Sequence, residues 1–221
     1  MQDQIQFASN ARESALATNK LMRNTYALLS MTLLFSGAMA GIAIVTNAAP
    51  MGLLGLVGMF ALLFILQAAR NSVWSLPLVF AFTGFMGYSL GPIVNYYLGM
   101  AGGGQIVATA MSMTGIIFLG LSAYAISSKR DFSWMGGMLI AGLLVVIVAA
   151  ILGIFFHIPG LQLAISAVVV MLMSGFILFD TSRMVHGGET NYVMMTVSLY
   201  LNIYNLFTAL LHLVGAFSSD D

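Results

Sequence analysis

Long apolar runs separated by short polar breaks set the pattern of this chain. Walking along it, seven runs stand out, at residues 26–45, 51–67, 76–98, 105–127, 134–156, 161–179 and 192–217. A membrane-crossing helix needs about 20 mostly apolar residues. Continuous runs of this length are too long for barrel strands. In lipid only helices and closed barrels satisfy the backbone hydrogen bonds. The pattern therefore predicts an all-α integral membrane protein with seven transmembrane helices joined by short connections. Residues 1–23 read as a polar cytoplasmic tail, 24–217 as the membrane domain and 218–221 as a short periplasmic tail. The apolar run after Arg23 is too long for the core of a signal peptide, so the start is expected to be retained.

Composition supports the same reading. Of 221 residues, 60% are hydrophobic and only 6% are charged. A soluble domain carries about 25% charged residues. So few charges cannot solvate a globule of this size, which excludes an ordinary soluble enzyme and a disordered chain. The net charge is zero, which leaves no electrostatic case for nucleic acid. Cysteine is absent, so disulfide and thiolate chemistry are excluded. The 17 methionines point to adaptable helix packing.

Charge sets the orientation. Arg12, Lys20 and Arg23 precede the first run, Arg70 follows the second, Lys129 and Arg130 follow the fourth, and Arg183 follows the sixth. The alternate connections contain no Lys or Arg. Basic residues stay on the cytoplasmic side. The N-terminus is then cytoplasmic, and seven crossings place the C-terminus on the far side, which is the periplasm if the membrane is the bacterial inner membrane expected for this chain.

Polar side chains inside a span are costly and are candidates for function. Ser198, Asn202, Asn205, Thr208 and His212 are spaced 4, 3, 3 and 4, which places them on one face of the last helix, opposite Tyr200 and Tyr204. The stripe is either hydrogen-bonding glue between helices or the wall of an ion path. Gly84, Gly87 and Gly91 share a face of the third helix, and Pro92 removes the hydrogen bond to the Tyr88 carbonyl, making Gly91 and Pro92 a candidate hinge. Asp180 ends the sixth run. It either pairs with Arg183 one turn on or turns into the bundle. In Gly187-Gly188-Glu189-Thr190-Asn191 the glycines suit a helix end, Thr190 or Asn191 can cap the last helix, and Glu189 complements its positive end. His157 and His186 are expected at the two surfaces. No motif suggests catalysis, and no Lys in the last span could hold retinal.

Several segments together resemble the Bax inhibitor-1 family. They are Lys20-Leu-Met-Arg-Asn-Thr-Tyr26, Phe82-Thr-Gly-Phe-Met-Gly87 with Leu90-Gly-Pro-Ile93, and Ala123-Tyr124 with Lys129-Arg-Asp-Phe-Ser133. Further along come Phe179-Asp180-Thr181, His186-Gly-Gly-Glu-Thr-Asn-Tyr192 and Leu199-Tyr-Leu-Asn-Ile-Tyr-Asn-Leu-Phe207. They occur in order over nearly the whole chain. The resemblance is to the bacterial branch known for modulating the membrane protease FtsH. It implies seven helices with the last one central, a non-enzymatic role with FtsH as partner, and no cofactor beyond a possible calcium ion. Members of the family have also been linked to a pH-sensitive calcium leak through a pair of aspartates on the last two helices. The first aspartate matches Asp180. The second falls on Asn202, where this chain departs from the pattern. Two close carboxylates resist joint ionisation and so respond to pH; Asn202 can instead donate a hydrogen bond to the carboxylate. The candidate path or gating residues are thus Asp180, Asn202, Asn205 and Arg183. For a modulator of FtsH, the N-terminal tail offers a handle, while a glycine-packed bundle resists extraction.

Overall fold

A computed structural model describes the backbone of residues 2–156 and 160–218, and the side chains of 16–153, 155–156 and 160–218. Arg12 as a side chain, His157 and the residues 219–221 of the expected tail lie outside the described residues. Among the described residues there are seven α-helices and no strand. They are α1 (Gln2–Val45), α2 (Gly52–Ala68), α3 (Ser75–Leu98), α4 (Gly103–Ser128), α5 (Gly136–Phe155), α6 (Leu161–Val185) and α7 (Tyr192–Ser218), with a 3-10 turn at Ser133–Met135 before α5.

Six of these helices are long and apolar enough to cross a membrane, against the seven crossings expected. The exception is α2. Its 17 residues rise about 26 Å, short of the ~30 Å hydrocarbon thickness. Pro50 stands just before it, and Arg70-Asn71-Ser72 turn the chain after it. The polar N-terminal segment continues the first membrane helix. Its backbone is helical from Gln2. Ala, Leu, Gln, Glu, Lys, Arg and Met are frequent there, and a helix already nucleated in the membrane extends through good helix formers at little cost.

α7 is wedged between two helix pairs, packing on α1 and α3 on one side and on α4 and α6 on the other. α2 packs on α3, and α5 on α6. α5 leaves Leu144, Val145, Val148 and Ile151 exposed, as a helix facing lipid should. α3 continues through Pro92 as a single helix.

The α1–α3 contact depends on missing side chains. A Cβ on Gly87 would fall on the Ser36 carbonyl, one on Gly91 would meet Ala43 and the Ala40 carbonyl, and one on Gly84 would meet the Phe35 ring. Backbone thus approaches backbone, which is how helices gain contact when the surrounding solvent is itself apolar. Gly115 of α4 differs, since a Cβ there would meet nothing.

The connections that carry basic residues meet at one end. Asn191 Nδ2 donates to the Arg70 carbonyl at 2.8 Å. Phe132 N donates to Ser182 Oγ at 2.9 Å, and His186 Nε2 lies 3.1 Å from the Lys129 carbonyl. Thr196 Oγ1 donates to the Thr25 carbonyl at 3.3 Å, so the Lys20–Arg23 stretch of α1 joins the same end.

The glycine contact makes a prediction. Gly87→Ala must push α1 away from α3 and should cost about 1–3 kcal/mol, read as a lower melting temperature in detergent. Gly115→Ala, with open space to enter, should leave the melting temperature unchanged or raise it.

Candidate functional site

Asp180 lies in the last two turns of α6, in a stretch where Ile177, Asp180, Thr181, Ser182 and Met184 are all buried. It is 3% exposed. Its carboxylate turns toward α7 and does not pair with Arg183. Oδ2 accepts a hydrogen bond from Ser198 Oγ at 2.5 Å and another from Asn202 Nδ2 at 2.8 Å. Ser198 and Asn202 are four residues apart, one turn along α7, so a single helix face presents both donors. Next to Asp180, Thr181 Oγ1 meets Ser122 Oγ of α4 at 3.5 Å. The open question about Asp180 is therefore resolved toward the bundle interior.

Arg183 takes a different path. Its Nη2 donates to the Gly188 carbonyl at 3.1 Å and lies 3.7 Å from Glu189 Oε2, and its guanidinium sits over the Phe179 ring. It is part of the turn between α6 and α7. That turn is built as its residues suggest. Gly188 N donates to the Arg183 carbonyl, and Gly187 takes a φ of +74°, which closes α6. Glu189 Oε1 accepts from the N–H groups of Thr190 and Asn191. Asn191 Oδ1 accepts from Val193 N and Met194 N, so Asn191 is the cap of α7. In the neighbouring connection, hydrogen bonding from Ser133 holds the Asp131 carboxyl below the usual range.

The rest of the α7 stripe divides. Asn205 Nδ2 returns to the Leu201 carbonyl, and Thr208 Oγ1 to the Tyr204 and Asn205 carbonyls. His212 stacks near Tyr97 of α3, with ring centres 6.0 Å apart. Asn205 is thus not brought to Asp180. Gly91 is taken up by its contact with α1, and Pro92 lines a cavity on the other side of α3.

The structure also shows a polar site that the sequence reading passed over. Tyr200, on the face opposite the stripe, shares a hydrogen bond with Ser36 Oγ at 2.7 Å and donates to the Thr83 carbonyl at 3.2 Å. It joins α7 to α1 and α3 as Asp180 joins α7 to α6. No local signal reveals it, because Ser36 and Tyr200 are 164 positions apart.

Chemically the Asp180 cluster holds one carboxylate with two neutral donors aimed at it. Calcium takes six to eight oxygen ligands, often from more than one carboxylate. Among the described residues no group of three His, Asp or Glu side chains converges. The arrangement suits the fastening of α6 to α7 better than a cation cage.

The comparisons with known proteins follow this geometry. The sequence model described as "Inhibitor of apoptosis-promoting Bax1" matches residues 18–219. The chain is 47% identical over 219 residues to the "Modulator of FtsH protease YccA" of Escherichia coli K12, covering 99% of this chain and all of that protein. It is 44% identical over 222 residues to an uncharacterised protein of Pseudomonas aeruginosa, with complete coverage of both. An uncharacterised membrane protein of Vibrio cholerae is 48% identical over 215 residues, 96% of each chain. A match across nearly the whole chain, in a molecule whose last two helices are fastened at Asp180, places this protein in the Bax inhibitor-1 family.

Proposed function

We propose that this protein is a non-enzymatic inner-membrane protein that binds and restrains the ATP-dependent protease FtsH. The observation that carries this reading is the end-to-end 47% identity with the modulator of FtsH from Escherichia coli. The mechanism follows from two properties of the chain. α1 starts at Gln2, well ahead of the apolar run that opens at Tyr26. Leu16 is exposed, whereas Leu21 and Met22 already pack against the core. A protease that pulls from the N-terminus meets an extension it can grip and then a bundle locked by backbone contact at Gly87 and by hydrogen bonds at Tyr200 and Asp180. A substrate that is engaged but slow to extract occupies the enzyme. Deleting residues 2–17 should leave the bundle folded and lengthen the protein's lifetime in cells with active FtsH. Equal decay of the full and truncated chains in a pulse-chase would defeat the handle.

In this reading α7 is the axis of the bundle and α2 is the seventh crossing despite its length. The hydrogen bond from Asn191 to the Arg70 carbonyl supports this, since it holds the end of α2 beside the start of α7. The end that gathers Arg70, Lys129, Arg130 and Arg183 is then cytoplasmic by the excess of positive charge. Alkaline phosphatase fused after Asp221 should be active, and the same fusion after Asn71 should be silent. A silent fusion at Asp221 would remove one crossing.

A second reading, a pH-sensitive calcium or proton leak, has one observation in its favour, the inward-facing Asp180. Its partner Asn202 is neutral, so the pair lacks the repulsion that would make it respond to pH. The wild type should therefore show little calcium flux in proteoliposomes between about pH 6 and 8. Asn202→Asp would place two carboxylates on one hydroxyl. A folded state with that pair binds more protons than the unfolded chain, so its stability falls as pH rises. The variant should melt lower at pH 8 than at pH 6, and Asp180→Asn in the same background should remove the difference. Strong pH-gated flux in the wild type would promote the leak over the modulator.

A further inference from the structure

The short α2 has a consequence on the end opposite the basic connections. Where α2 stops at Gly52, α3 and α7 continue, and a cavity of about 900 Å³ lies between α2, α3, α7 and the start of α6. Its volume lies in the range of small-molecule sites. Its walls are apolar and adaptable, with Met51, Met59, Met86 and Met100 among them.

Three of the polar side chains lining this cavity keep unused hydrogen-bonding capacity. The Tyr204 hydroxyl and the His212 ring have no hydrogen-bond partner among the described residues. Asn205 spends its Nδ2 on the Leu201 carbonyl, which leaves Oδ1 as an acceptor. Two levels of α7, at Tyr204–Asn205 and two turns on at His212, thus offer hydrogen bonds to the cavity. Unpaired polar groups in an apolar setting are costly unless something satisfies them. Charge decides the class of that occupant. Among the described lining residues none is Asp, Glu, Lys or Arg. A phosphate or a metal cation placed here would lose its hydration and gain no counter-charge, a cost of several kcal/mol. An uncharged head carrying carbonyl or hydroxyl groups loses far less and matches the donors and the acceptor.

We propose that this cavity is a binding site for a neutral amphiphile, an apolar-tailed molecule with an uncharged head bearing carbonyl or hydroxyl groups. Two sources share this chemistry, diacylglycerol-type lipids and isoprenoid quinones. The head sits against Tyr204, Asn205 and His212, and the tail follows the methionines toward the lipid beside α2.

The test uses the full chain in phosphatidylcholine nanodiscs. Three photoreactive probes are compared: a diazirine-tailed diacylglycerol, an azido-ubiquinone and a diazirine-tailed phosphatidylglycerol. Labelled peptides are identified by mass spectrometry. Saturable labelling of residues 51–59 and 93–100 by the diacylglycerol assigns the site to a glycerolipid, and by the ubiquinone to a quinone; either result supports the proposal. Equal labelling by the anionic phosphatidylglycerol, or labelling by none of the three, overturns it. His212→Phe keeps a ring beside Tyr97 but removes the hydrogen bond, and Asn205→Leu removes the acceptor. Each should weaken the neutral probe about tenfold. Leu56→Trp, at a lining position 52% exposed and so tolerant of size, should block labelling by filling the cavity. If Leu56→Trp melts as the wild type does and still labels fully, the site is wrong.

Discussion

Lipid is as apolar as leucine, so burying leucine against leucine gives these helices no reason to leave the bilayer for each other. What remains is close approach and hydrogen bonding, and the structure concentrates both on α7. Ser36 supplies two parts of that contact: its carbonyl faces the bare backbone of Gly87, and its hydroxyl meets Tyr200. Moving α1 away from α3 would break both. Because Tyr200 also donates to the Thr83 carbonyl, one phenol fixes the relative positions of three helices.

The opposite side of α7 is fastened through a buried carboxyl group. Asp180 is almost fully buried, and a carboxyl group is held in such a place only when hydrogen bonds replace the lost water. Ser198 and Asn202 do so from a single face. Removing either partner would leave a buried carboxylate short of donors, which is more damaging than losing an ordinary contact. The two fastenings lie on opposite faces of α7, which explains why this helix is polar on both sides and yet largely buried. The connections at the basic end add a third restraint, through Ser182, His186 and Asn191.

Much of this was legible in the sequence because it follows from periodicity within one segment. The runs mark the helices, Gly84, Gly87 and Gly91 declare a close-packed face, and Gly187 to Asn191 spell out a helix end and the next cap. The α7 stripe is one face of the helix, but its spacing does not distinguish its members. Ser198 and Asn202 reach Asp180, whereas Asn205 and Thr208 turn back to their own helix. Spacing cannot separate these outcomes, since a polar side chain in a helix always has its own carbonyls within reach. Asp180 was left between Arg183 and the interior for a related reason. One turn of separation made the ion pair geometrically possible, but Glu189, just beyond the helix end, supplies the competing carboxylate. Tyr200 was out of reach altogether, because its partners belong to helices 1 and 3. The length of α2 was readable, but its effect was not: a helix that ends early matters only once its neighbours are seen to continue.

That early ending links stability to the chemistry of the bundle. α7 is held tightly where α1, α3 and α6 carry hydrogen-bonding partners, around Tyr200 and Asp180. One turn further, at Tyr204 and Asn205, the same helix borders the open space between α2, α3 and the start of α6. Tyr204 also faces a second, apolar gap between α1 and α4, lined by Gly37, Gly41 and Gly115. α7 is therefore clamped over its inner half and bordered by cavities over its outer half. A force applied from the N-terminal, basic end acts first on the clamped half, so the strongest contacts resist it before the looser ones are reached. In the proposed role against FtsH, this order of strength along one helix is what would slow extraction, and the loosely packed half is the one proposed to accept a ligand.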